Sequence, residues 1–303
     1  MIYNVGSINI DYVYRVPHLV LPGETLASRS FSRVLGGKGA NQSVAIAKAG
    51  AEVAHVGRVC LSDNWALKQM VELGVNVDCV ESSNEPSGHA IIQVDDVGEN
   101  SIVLFGGANQ QLTSEQLSQA LGEATSKDWF LIQNECNGLS DVFDRAAAQN
   151  IPLAFNPAPM SEDVMALPLN QAQCLILNEV EAGAITNLGD QTGSSAIDDM
   201  TRELMRLFPS SIVVLTLGAA GVRLIDGGQV VSIASPAVTA VDSTGAGDTF
   251  VGYFLAGLGH GKEAFDAANV ACNAAALSVM SEGATPSIPS NADVHKFMNA
   301  SSS

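Results

Sequence analysis

The chain has little of what several kinds of protein need. Lys and Arg number 14 in 303 residues against 32 Asp and Glu, a formal net charge of −18, and the basic residues gather into no patch. That excludes a broad nucleic-acid or anionic-membrane partner, so any phosphate must be held locally. No segment reaches the ~18 uninterrupted apolar residues that a membrane-spanning helix needs. The opening Ile2-Tyr3-Asn4-Val5 reads as a strand, with no basic region and long apolar run ahead of it, and a cytoplasmic location is expected. Cys60, Cys79, Cys136, Cys174 and Cys272 are odd in number and widely spaced, with no Cys-x-x-Cys pair. They read as buried free thiols. The five histidines are scattered, which leaves a zinc site or a Ser-His-Asp triad without support.

What is present is a chain 47% hydrophobic, long enough to bury the core of one large α/β domain. Short β-rich runs at 2–5, 53–56, 130–133, 153–155, 174–177 and 212–216 alternate with helical stretches at 40–49, 63–73 and 139–150. The alternation predicts a doubly wound, mostly parallel central sheet flanked by helices, in a single domain spanning 1–303. Two segments, about 12–35 and 87–105, lack helical periodicity and carry strand-like pieces such as Ala90-Ile-Ile-Gln-Val94. They are expected to pair into a small β-sheet lid beside the carboxyl ends of the parallel strands. Stretches 246–259 and 263–280 predict two buried helices, and Ser301-Ser-Ser303 a frayed end.

Three polar constellations stand out. In Val241-Asp-Ser-Thr-Gly-Ala-Gly-Asp248 a strand end, a small-residue turn and a helix start come together. Gly245, Ala246 and Gly247 let backbone N–H groups approach an anion at the positive end of a helix dipole, with Asp248 placed as a base. Alone, the turn also fits an Asp capping its own helix. Leu35-Gly-Gly-Lys-Gly-Ala-Asn-Gln-Ser43 is a second glycine cluster running into a helix. Gly36, Gly37 and Gly39 permit close backbone approach to a ligand, while Lys38 and Asn41 add directional polar groups. It is neither a Walker A loop nor a dinucleotide fingerprint. In Gly6-Ser-Ile-Asn-Ile-Asp11 the alternation points Asn9 and Asp11 the same way, a pair suited to a polyol.

These segments, with Pro22-Gly-Glu-Thr25, Gly107-Ala-Asn109, Asn156-Pro-Ala-Pro159, Asn178-Glu-Val-Glu181 and Thr216-Leu-Gly218, resemble the ribokinase-like (PfkB) carbohydrate kinases in order and spacing over nearly the whole chain. The resemblance implies an ATP-dependent sugar kinase, with the 5-hydroxyl of D-ribose as the expected acceptor. Rivals are another acceptor (a nucleoside, a deoxyribose or a ketose derivative) and a sugar-binding regulator without catalysis. It implies that Asn9, Asp11, Gly37, Lys38, Asn41 and Glu135 contact the sugar, that Asp248 deprotonates the attacking hydroxyl, and that Gly245 to Asp248 form an anion hole. ATP is expected against Asn178, Thr216, Gly218, Gly221 and Gly247, with Mg²⁺ placed by Glu181 through water. A K⁺ site is implied at Asp242, Thr244, Ser278, Ser281, Gly283 and Ser287, and a homodimer through the lid strands.

Overall fold

The computed structural model describes residues 1–189 and 193–301; of the expected frayed end, 302 and 303 lie outside the described residues. Among the described residues thirteen strands build two sheets: β1 (Ile2–Val5), β2 (Asn9–Arg15), β3 (Ser30–Gly36), β4 (Val53–Cys60), β5 (Asn76–Ser83), β6 (Gly88–Val94), β7 (Asn100–Phe105), β8 (Trp129–Gln133), β9 (Leu153–Asn156), β10 (Cys174–Asn178), β11 (Ile212–Thr216), β12 (Val222–Asp226) and β13 (Gln229–Ile233). The larger sheet has nine strands in the order β13-β12-β11-β10-β9-β8-β1-β4-β5. From β5 to β11 neighbours run parallel, and β12 and β13 close one edge as an antiparallel pair.

The central strands are continuous apolar runs, such as Cys174-Leu-Ile-Leu177, and are buried, as strands covered on both faces must be. One face packs Val44, Ile46, Phe254, Ala268 and Ala271 from three helices into a core. The other packs Leu117, Phe143, Met200 and Leu204 from the opposite helical layer. The expected doubly wound architecture is therefore the observed one. The β12–β13 hairpin is an addition to it, although its Asp226-Gly-Gly-Gln229 turn is plain in the sequence.

The four-stranded second sheet has the order β3-β2-β6-β7, with β2 and β6 parallel and the outer pairs antiparallel. Its first strand begins at Asn9, with three residues between it and the end of β1. Asn9 and Asp11 thus stand on the small sheet rather than at the end of the first large-sheet strand. Here Asn9 pairs with Gly36 on one side and with Gly88 on the other. The small sheet consequently delivers two polar side chains to the carboxyl edge of the large one.

Candidate active site

Helix Ala246–Gly259 starts from Gly245, whose φ of 76° is left-handed and whose missing Cβ would stand 2.9 Å from Ala284. Both facts demand glycine there. Gly247 differs, because a Cβ on it would meet nothing within 4 Å. Of the first-turn N–H groups that a helix cannot satisfy itself, Ala246 donates to the Ser243 carbonyl at 3.2 Å, and the helix's own ladder begins only with Thr249 donating to the Gly245 carbonyl at 2.8 Å. No side chain caps this helix. The Gly247 and Asp248 amides are left aimed past the helix start.

Asp248 is buried at 7% exposure. Its Oδ2 accepts from Asn41 Nδ2 at 3.0 Å and its Oδ1 from Gln42 Nε2 at 2.9 Å. Burial raises its pKa above the ordinary carboxylate value, against the opposing pull of Lys38 and the two amides. Asp248, Glu135 and Glu181 all face the cation Lys38, which holds its proton more tightly in consequence. Glu135 accepts from Ser7 Oγ and from the Lys38 backbone N–H at 2.9 Å. Asp11 is pushed up to about 7 by burial and then by Glu135. The cluster is an acidic cleft built around one lysine.

The glycines of 36–39 have a structural cause of their own. A Cβ at Gly36 would stand 2.0 Å from Asp11 Oδ2, one at Gly37 2.9 Å from the Asn9 nitrogen, and one at Gly39 2.3 Å from the Ser7 nitrogen. The space is filled by the protein's own chain, so these glycines let the 36–39 turn lie on the Ser7–Asp11 segment. Asn9 in turn accepts from Asn109 Nδ2 at 2.7 Å.

Asn178 and Thr216 end adjacent parallel strands in register. Asn178 caps helix Glu179–Thr186 in a reciprocal capping box with Glu181. Both Glu181 oxygens thereby accept from Asn178, and its pKa is raised by burial. Gly218 and Gly221 both have left-handed φ, 54° and 95°. Among the described residues no cluster of three metal-binding side chains exists. A divalent ion here would be held chiefly by phosphate and water with one carboxylate near, which fits a strongly hydrated ion such as Mg²⁺.

Asp242 ties two loops together, accepting on Oδ1 from Thr244 N–H at 2.9 Å and on Oδ2 from Gly283 N–H at 2.8 Å. The hydroxyls of Ser278 and Ser287 are spent on the carbonyls of Ala275 and Ala284, and Ser281 N–H donates to the Ser278 carbonyl. A cation there would rest on carbonyls and the Asp242 carboxylate, a donor set suited to K⁺. Asp11, Asp242, Thr244 and Gly283 line a cleft of about 480 Å³ beneath the small sheet.

Several residues at the site were given no role in the sequence: Ser7, Gln42 and Asn109 inside recognised motifs, Gln133 and Thr285 outside them. Buried polar residues in apolar surroundings, such as Gln133 at the end of Trp129-Phe-Leu-Ile-Gln133, were the available signal.

A mostly parallel sheet with a buried carboxylate at a helix start beyond its carboxyl edge, and a second, smaller sheet beside it, is an arrangement that suits an α/β phosphotransferase. The family model described as pfkB family carbohydrate kinase matches residues 1–291. Ribokinase of Haemophilus influenzae is 34% identical over 304 residues, with 97% of each chain covered. Ribokinase of Cryptococcus neoformans in complex with ADP superposes with a TM-score of 0.85 at 33% identity, covering 97% of this chain and 98% of that one. Arabidopsis thaliana ribokinase complexed with ribose and ATP gives a TM-score of 0.85 at 29% identity, covering 98% of each. The chain belongs to the pfkB family of carbohydrate kinases.

Proposed function

We propose that the protein transfers the γ-phosphoryl group of ATP to the 5-hydroxyl of D-ribose, giving D-ribose 5-phosphate and ADP. The observation that carries this reading is the meeting at Lys38 and Asp248 of a polyol-type cluster (Asn9, Asp11, Gly37, Asn41, Glu135) with the nucleotide-side residues Asn178 and Glu181. The relative crystallised with ribose and ATP supports the same pair of substrates. Sugar hydroxyls both donate and accept, so Asp11 and Glu135 accept hydrogen bonds from them while Asn9, Lys38 and Asn41 donate. Asp248 takes the 5-hydroxyl proton as its oxygen attacks the phosphorus in line. The Gly247 and Asp248 amides, joined by those of Gly245 and Ala246 once the turn opens toward the phosphate, stabilise charge on the transferring group. Thr216, Gly218 and Gly221 cradle the nucleotide.

Glu181 would place, through water, the Mg²⁺ that accompanies ATP, and the ion would supply neutralisation of phosphate charge. Asp242, Thr244 and Gly283, with the carbonyls of Ser278, Ser281 and Ser287, would hold K⁺, whose charge would steady the loop that carries the anion hole. The small sheet acts as a lid, excluding water as a competing acceptor. Its exposed apolar side chains, among them Phe31, Ile91, Val103 and Phe105, support a homodimer through this sheet.

The test is ADP release with MgATP across D-ribose, 2-deoxyribose, ketoses and nucleosides in sodium and in potassium buffers, with NMR of the product. The expected result is the highest kcat/KM for ribose, phosphate on C5 and activation by potassium. Replacing Asp248 by Asn is expected to lower kcat about 10²- to 10⁴-fold. Preference for deoxyribose or a nucleoside would overturn the acceptor; equal rates in sodium and potassium would overturn the cation.

A further inference from the structure

Asn41 and Gln42 are consecutive on one helix, and each places one amide nitrogen on a different oxygen of Asp248. What stands behind Gln42 is a buried chain whose direction is set at its far end. The Gly6 carbonyl can only accept, so His55 Nε2, 3.0 Å away, carries the ring proton and Nδ1 accepts from Ser43 Oγ at 2.8 Å. Burial holds the His55 pKa down to about 4, so the ring is neutral and this assignment is kept. Ser43 Oγ, its proton given to His55, accepts from Asn4 Nδ2 at 2.8 Å, which leaves Asn4 Oδ1 to accept from Gln133 Nε2 at 2.9 Å. The same Gln133 nitrogen donates to Gln42 Oε1 at 2.7 Å. Gln42 Nε2 must then face Asp248, and its second proton goes to Asn156 Oδ1 at 3.1 Å. Asn4, Gln42, Ser43, His55 and Gln133 are all at most 1% exposed. An amide flip at Gln42 would set oxygen against carboxylate and break the bond to Gln133 as well.

We propose that Gln42 is a positioning residue for phosphoryl transfer, locked by the Gln133–Asn4–Ser43–His55 chain so that a fixed donor orients the Asp248 carboxylate and favours its ionised form. The proposal rests on the reading of Asp248 as the base. Donors on a carboxylate stabilise its charged state, and here they oppose burial in a cleft where the Lys38 cation, from the same helix start, also faces Glu135 and Glu181.

The test compares Gln42→Met, Gln133→Met and the double variant with the wild type and Asp248→Asn, measuring kcat and KM for ribose against pH and the melting temperature. Gln42→Met is expected to lower kcat about tenfold or more and to move the acid limb of kcat to higher pH, with KM for ribose within about threefold. Because the two glutamines act through one bond, the double variant is expected to lose no more than the worse single variant. If Gln42→Met does not fold, Gln133→Met must show the same upward shift of the acid limb. A fall in kcat with an unmoved acid limb, a loss expressed only in KM, or additive losses would overturn the proposal. An Asp248→Asn variant with near wild-type kcat would overturn the underlying reading instead.

Discussion

Asp11 shows how a single residue of this site trades stability for binding. Burial, then Glu135, pushes its carboxyl from the ordinary 3.8 up to about 7. The native state therefore binds more protons here than the unfolded chain does. This group's contribution to stability is most favourable below its ordinary pKa and declines as pH rises through about 7. The melting temperature of the ligand-free protein is expected to fall between about pH 5 and pH 8, and Asp11→Asn to flatten that fall while weakening ribose binding. Sugar hydroxyls donate to the ionised form, so binding near pH 7 should release a proton and tighten as pH rises. Calorimetric titration in two buffers of different ionisation enthalpy measures this directly; identical heats in both, with no change of affinity from about pH 6 to pH 8, would refute it.

At the scale of elements, two glycines at the start of helix Ala246–Gly259, the N-cap Gly245 and the first-turn Gly247, have opposite reasons for existing. Gly245 has a left-handed φ and abuts Ala284, whereas the space beside Gly247 is open. Gly245→Ala is expected to lower the melting temperature. Gly247→Ala should leave it unchanged or raise it by the helix preference of Ala, worth up to about 1 kcal/mol, yet raise KM for ATP or lower kcat by crowding the phosphates. Unaltered ATP kinetics in folded Gly247→Ala would remove the anion-hole reading of that amide. This helix was legible in the sequence over its whole span, because glycines, an acid and a long apolar run punctuate it. Strand β2 was less so. Only Gly6, Ser7 and Ile8 separate it from β1, too short a break for periodicity to register, and its place is decided by pairing with Gly36 and Gly88 far along the chain. Gln42 was missed for a related reason: its importance comes from Gln133, 91 residues away, and local spacing carries no trace of such a bond.

For the whole molecule, charge and apolar surface pull in opposite directions. Each chain carries a formal −18, so two copies repel, and only buried apolar area can hold them together. That area is available on the small sheet. Every residue of β7 is exposed, and Val103 and Phe105 share one face while Ile102 and Leu104 take the other, with His89 paired opposite Phe105. A lone antiparallel edge with apolar side chains on both faces is a site for association. If one face covers the sugar and the other meets a second copy, the protein sediments at twice the single-chain mass. Val103→Asp with Phe105→Asp, on the face away from Leu104, is then expected to give a folded monomer. Because the repulsion is electrostatic and the attraction is not, raising salt from about 0.05 to 0.5 M should tighten the wild-type dimer as the screening length shrinks. Sedimentation equilibrium at both salt concentrations separates the outcomes. A wild-type monomer at tens of micromolar, with and without ribose, would exclude the homodimer and leave the exposed faces of β7 to serve lid closure alone.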